Sequence, residues 1–133
     1  LLEPLRADVV RLAVAMAERI VRRSVAVDEE TALRAAGEAL ARVGQSRRVL
    51  LRLNPADASR IGEHIAELRA RLPGEAKLEW VADPAVREGG CLVETAALKI
   101  DATLEGALDR FSAALAHWAN GEKPAGEEAG DAA

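Results

Sequence analysis

Aromatic side chains are nearly missing from this chain. Its 133 residues include one Phe, two Trp and no Tyr, although half of all residues are apolar. The apolar set is mostly Ala, Leu and Val, so a pocket that stacks bases, sugars or flat cofactors has little to be built from. A single cysteine excludes an intrachain disulfide and a cysteine-based zinc site. Two histidines, His64 and His117, are too few for a metal centre without carboxylates at spacings the sequence does not support. No apolar run reaches the roughly 20 residues that cross a bilayer, and no secretory signal is present. The first residue, Leu1, already sits in a helical pattern, so the chain reads as part of a longer protein.

Charge is also short on one side. The formal net charge is −4. Residues 119–133 carry Glu122, Glu127, Glu128 and Asp131 against Lys123, a net of −3, which leaves 1–118 at −1. A near-neutral body with an acidic end does not present the excess of Lys and Arg that nucleic acid demands. Arg47, Arg48 and Arg52, with Arg19, Arg22 and Arg23, could form a basic patch, but no aromatics interleave with them.

What is present is periodicity. Val9, Leu12, Ala13, Met16, Ala17, Ile20 and Val21 form one apolar stripe of a helix over 5–24. Asp28 is placed to cap a second helix that carries Leu33, Ala36, Leu40 and Val43 and ends at Gly44. The apolar run Arg48–Leu53 then reads as a strand buried on both faces. Asn54, Pro55 and Asp57 open a helix that buries Ile61, Ile65, Leu68 and Leu72 and stops at Pro73-Gly74. Residues 77–82 alternate as a strand, and 91–95 and 98–100 are two more. Asp101 caps a last helix with a heptad seam of Leu104, Leu108, Phe111, Leu115 and Trp118. The size and placement of Trp80 and Trp118 put both in the core. From Ala119 on, Gly, Pro, Glu and Ala without period read as a disordered tail.

The fold class is therefore α+β: N-terminal helices, then a small mixed or antiparallel sheet covered by helices, in the order α-α-β-α-β-β-β-α. Residues 1–25 form the end of a helix leading into the domain, 26–118 the domain itself, and 119–133 a disordered acidic tail.

Chemistry has few candidates. Cys91, in the stretch EGGCLVET (88–95), could be a nucleophile on a loop or the first inward residue of a strand. A nucleophile needs a nearby base or a helix N-terminus, and both histidines lie mid-helix. Free Cys packs as a small hydrophobe, so Cys91 is assigned to the core and Gly89-Gly90 to a turn. That Gly pair precedes a strand, whereas phosphate cradles precede a helix. Glu63 and Glu67, with Arg60, Arg69 and Arg71, form a solvated face. Neither a catalytic residue nor a cofactor or metal is assigned, and no small-molecule substrate.

Four segments in order, LAVAMAERIVRR (12–23), VLLRLNPADASRI (49–61), LEWVADPAVREGGCLVET (78–95) and KIDATLEGALDRF (99–111), resemble the C-terminal domain of the FliH/SctL family. That family comprises the stators of flagellar and virulence type III secretion ATPases. The resemblance implies a non-catalytic, cytoplasmic homodimer at the inner-membrane secretion apparatus. It would bind the N-terminal region of the secretion ATPase and restrain it. It would also tie the ATPase to the sorting platform or rotor through a region upstream of this chain. Leu12, Met16 and Ile20 are the partner-binding candidates. The domain is also similar to that of the E subunit of V/A-type peripheral stalks, which makes a rotary-ATPase stalk the alternative. Ala96-Ala97 departs from the family in lacking a glycine before the last strand. The residues do not separate flagellar from virulence systems.

Overall fold

The computed structural model describes residues 3–121, so most of the expected 119–133 tail lies outside the described residues. Helix α1 (Glu3–Val27) is followed by α2 (Thr31–Leu40), β1 (Arg48–Leu53), α3 (Pro55–Ile61), a 3₁₀ turn (Gly62–His64) and α4 (Ile65–Arg69). Then come β2 (Lys77–Ala82), β3 (Cys91–Glu94), β4 (Lys99–Ala102) and α5 (Leu104–Ala119). This is the expected α+β order, with the fourth element broken. Gly62, a poor helix former facing open space, stands at the break between α3 and α4.

Two compact units divide the chain. One holds residues 24–106; the other joins α1 up to residue 23 with α5 from residue 107. In the larger unit the four strands lie in the order β2-β1-β3-β4. β1 runs parallel to β2 and antiparallel to β3, which is antiparallel to β4. The parallel β1–β2 pair needs a crossover, and α3 and α4 supply it.

The core lies on one side of this sheet. Val49, Leu51, Leu53, Leu78, Cys91 and Val93 point into it and meet Ala32, Ala36, Ala39 and Leu40 of α2. Alanine at three of those α2 positions lets the helix backbone come close to the strands. β1 is thus buried on one face, contrary to the reading from its unbroken apolar run. Leu50 and Arg52 on its other face are half-buried. Arg52 there donates to Glu94 at 3.1 Å and sits 3.6 Å from Asp83.

Several helix ends differ from expectation. Asn54 caps α3 as its side chain predicts, accepting from the Ala56 N–H at 2.9 Å. α2, however, starts three residues after Asp28, whose carboxylate instead accepts from the Glu30 N–H at 3.0 Å and meets Arg34 at 2.5 Å. Arg34 first, and then that N–H, hold the Asp28 carboxyl below its usual range. The cap of α5 is Thr103 and not Asp101. The Thr103 hydroxyl accepts from the Gly106 N–H at 3.0 Å, while Asp101 steadies Thr103 by accepting from its N–H at 2.9 Å and from its hydroxyl. Thr103→Ala is expected to cost about 1 kcal/mol, read as a lower urea midpoint with an unchanged slope.

The β3–β4 turn at Ala96-Ala97 does without glycine. Thr95 organises it, its hydroxyl accepting from the N–H groups of Ala97 and Leu98 at 3.3 and 3.1 Å.

Candidate interaction face on helix α1

Cys91 opens β3 and is fully buried. Burial first, and then the nearby Asp101 carboxylate, push its thiol up to about 12. At neutral pH it is a protonated core side chain, as its place after the turn suggests. A thiol reagent at pH 8 is expected to label Cys91 only at the rate of unfolding, and fast labelling of native protein would overturn this. In the unfolded chain the thiol titrates near its ordinary value of 9.0. The folded pKa is raised, so its contribution to stability is whole below 9.0 and is lost as pH climbs toward 12.

Gly89 and Gly90 act differently. Gly89 has φ of +94°, a left-handed turn. Gly90 has no such φ, but a Cβ there would lie 2.6 Å from the Thr103 Cα. The turn is tied down by Asp57, a residue that sequence reasoning placed only as a helix-start acid. Its buried carboxylate accepts from the Gly89 N–H at 3.0 Å and lies 3.8 Å from Arg60. This link spans 32 residues of sequence, so no local pattern reveals it.

The other candidates do not converge. His64 sits on the 3₁₀ turn, 3.8 Å from Glu67. Arg52 is engaged with two carboxylates, which removes one member of the possible basic patch. Among the described residues, no group of three His, Cys, Asp or Glu could hold a metal ion. No helix among them is long and apolar enough to cross a membrane.

Exposed apolar surface is concentrated on α1. The single stripe expected there proves to be two. Val10, Val14, Ala17, Val21 and Val25 are half-buried, while Leu5, Val9, Leu12, Met16 and Ile20 are exposed. With 3.6 residues per turn the two stripes lie roughly 140° apart around the helix. Leu12 is 62% exposed, Met16 57% and Ile20 65%. A helix apolar on two opposite faces is ordinarily packed on both.

α5 shares the smaller unit with this part of α1. The Arg6 guanidinium donates to the Ala119 carbonyl at 2.7 Å, which sets the start of α1 beside the end of α5. A groove of about 390 Å³ opens there between Val9, Val10 and Trp118. The reading of both tryptophans as core is corrected. Trp118 is 72% exposed at the last turn of α5, and Trp80 is 40% exposed on the edge strand β2. Size favours burial only where neighbours surround the side chain, and a helix end and a sheet edge lack them.

These features can be set beside known proteins. A type 3 secretion system stator protein of Yersinia pestis is 38% identical over 78 residues, covering 59% of this chain and 35% of that protein. The stator protein of Yersinia enterocolitica matches to the same extent. The flagellar assembly protein FliH of Borreliella burgdorferi is 26% identical over 111 residues, 84% of this chain and 36% of its own. The chain thus spans about a third of the length of these relatives. Residues 1–111 match the family described as Flagellar assembly protein FliH. With most of its length inside that match, this chain belongs to the FliH family of flagellar assembly and type III secretion stator proteins.

Proposed function

We propose that this chain is the part of a stator that grips a type III secretion ATPase and pairs with its own kind, acting through binding rather than chemistry. The observation that carries this is the open apolar stripe on α1. Five large side chains in line, exposed on a helix of an assembly protein, are a surface for another protein. Leu12, Met16 and Ile20 are its centre. The N-terminal region of the ATPase is the partner, held by two stator chains that restrain its turnover on the cytoplasmic side of the secretion apparatus. Links to the rotor or sorting platform belong to the rest of the whole protein, of which relatives have about twice as much again.

The test is a titration of the whole protein into its cognate ATPase, with light scattering and ATP turnover followed in the same samples. Two stator chains per ATPase and slower turnover are expected. No complex at micromolar concentration would overturn the reading. Met16→Glu with Ile20→Glu should weaken association and leave the melting temperature within about 2 °C, because both side chains are exposed.

A further inference from the structure

The two edges of the sheet are defended unequally. β4 is four residues long, bears exposed Lys99 and Asp101, and passes through Thr103 directly into α5. Short, charged edge strands resist pairing with a further strand. β2 lacks such protection over its second half. It pairs with β1 in straight register over all six residues, and Trp80, Val81 and Ala82 are uncharged and exposed. The ladder also shows which backbone groups are open. The Lys77 N–H donates to the Arg47 carbonyl at 2.8 Å, and the Asp83 N–H to the Leu53 carbonyl at 2.7 Å. Direction alternates along a strand, so Lys77, Glu79, Val81 and Asp83 face β1. Leu78, Trp80 and Ala82 therefore aim their N–H and carbonyl groups out of the sheet edge. We infer that an extended segment of the ATPase proposed above adds to β2 as a fifth strand. The inference rests on the stator reading and adds to it a second contact, made by main chain and carried by the larger unit.

The chemistry of this edge selects its occupant. A row of alternating donors and acceptors is matched by another extended backbone, and the flanking side chains then set which one. The charges beside the row are already paired: Lys77 lies 3.4 Å from Glu79, and Asp83 lies 3.6 Å from Arg52. The incoming segment is thus uncharged where it meets Trp80, Val81 and Ala82. Trp80 shares a face of β2 with buried Leu78, and α3 packs against that strand. The indole therefore forms the rim of the core, and an apolar side chain laid beside it extends the core by one column. On the other face the neighbour is Val81, which a β-branched side chain of the added strand matches. Residues 119–133 of this chain do not meet these terms. Their Gly, Pro, Ala, Glu and Asp are poor strand formers and include no β-branched residue.

Hydrogen exchange on the whole stator protein, with and without its cognate ATPase, reads the edge directly. In the complex the amides of Leu78, Trp80 and Ala82 should exchange roughly tenfold more slowly or less, and those of β4 should be unchanged. Three variants supply the affinity arm, with thermal melts as the folding control. Ala82→Pro removes one outward N–H and keeps the bonds to β1, since proline is tolerated at such an edge position. Val81→Lys adds the kind of charge that guards natural edges, and Val81→Thr keeps a β-branched, uncharged side chain. The first two should weaken ATPase binding by roughly tenfold or more, and Val81→Thr by less than about twofold. If the complex forms while the three amides exchange as before, the ATPase does not use this edge; the inference fails and the stator reading stands. If Val81→Lys and Ala82→Pro bind as tightly as the native protein, the inference fails in the same way. Where either variant melts early, the exchange result on the native protein decides. Slower exchange that follows stator concentration without ATPase would assign the edge to a second copy and overturn the inference. Absence of any complex with the native protein would overturn both readings together.

Discussion

Gly90→Ala is expected to lower the stability of the protein by roughly 2–3 kcal/mol, a large part of the 5–15 kcal/mol that holds a typical domain together. The added methyl would lie 2.6 Å from the Thr103 Cα and 3.0 Å from both the Ala102 carbonyl oxygen and the Leu104 nitrogen. All three are backbone atoms at the junction of β4 and α5, so no side-chain rotation relieves the clash. Gly89→Ala meets a different obstacle. Its neighbours are side-chain methyls, of Val25 at 2.7 and 2.8 Å and of Leu104 at 3.2 Å, and its φ of +94° disfavours any side chain besides. Urea unfolding of both variants measures the two costs side by side. If Gly90→Ala cost less than about 0.5 kcal/mol, the β4–α5 junction would have to yield more easily than a packed backbone does.

Leu51→Ala should cost about 3 kcal/mol, within the 2–5 kcal/mol range for buried Leu truncations. Leu51 is fully buried at the centre of β1, where its register partners are Trp80 on β2 and Val93 on β3. The strand is pinned on both sides, so the cavity cannot close by a shift of β1. Leu50→Ala on the opposite face of the same strand is the internal control, because Leu50 is only half-buried. Equal losses at 50 and 51 would mean that both faces of β1 are packed alike, and the one-sided core would be wrong.

Much of this fold is legible in the residues because it depends on local period. The Asn54-Pro55 helix start, the alternation of β2 and the inward place of Cys91 after two glycines each follow from a few neighbouring side chains. Failures arise where two local solutions look alike. Asp101 and Thr103 are both competent caps, and only the backbone shows which one meets the Gly106 N–H. The two stripes of α1 share one period and overlap in composition, so the sequence alone merges them. The unbroken apolar run of β1 suggests burial on both faces, but only the packing of Val49, Leu51 and Leu53 with residues of α2, α3 and α4, while Leu50 and Arg52 stay half-buried, shows that one is covered. For the candidate face the signal was present in Leu12, Met16 and Ile20. Their exposure was not, because a stripe does not say whether its partner lies in the same chain.

The Gly89-Gly90 turn also has a mechanical meaning. It touches Val25 near the end of α1 and Leu104 at the start of α5, and Asp57 anchors it to α3. Within the larger unit, Val25, Leu104 and Asp57 therefore all bear on one short stretch of backbone that has no side chain to deform. A shift of any one of the three is met at once by the other two.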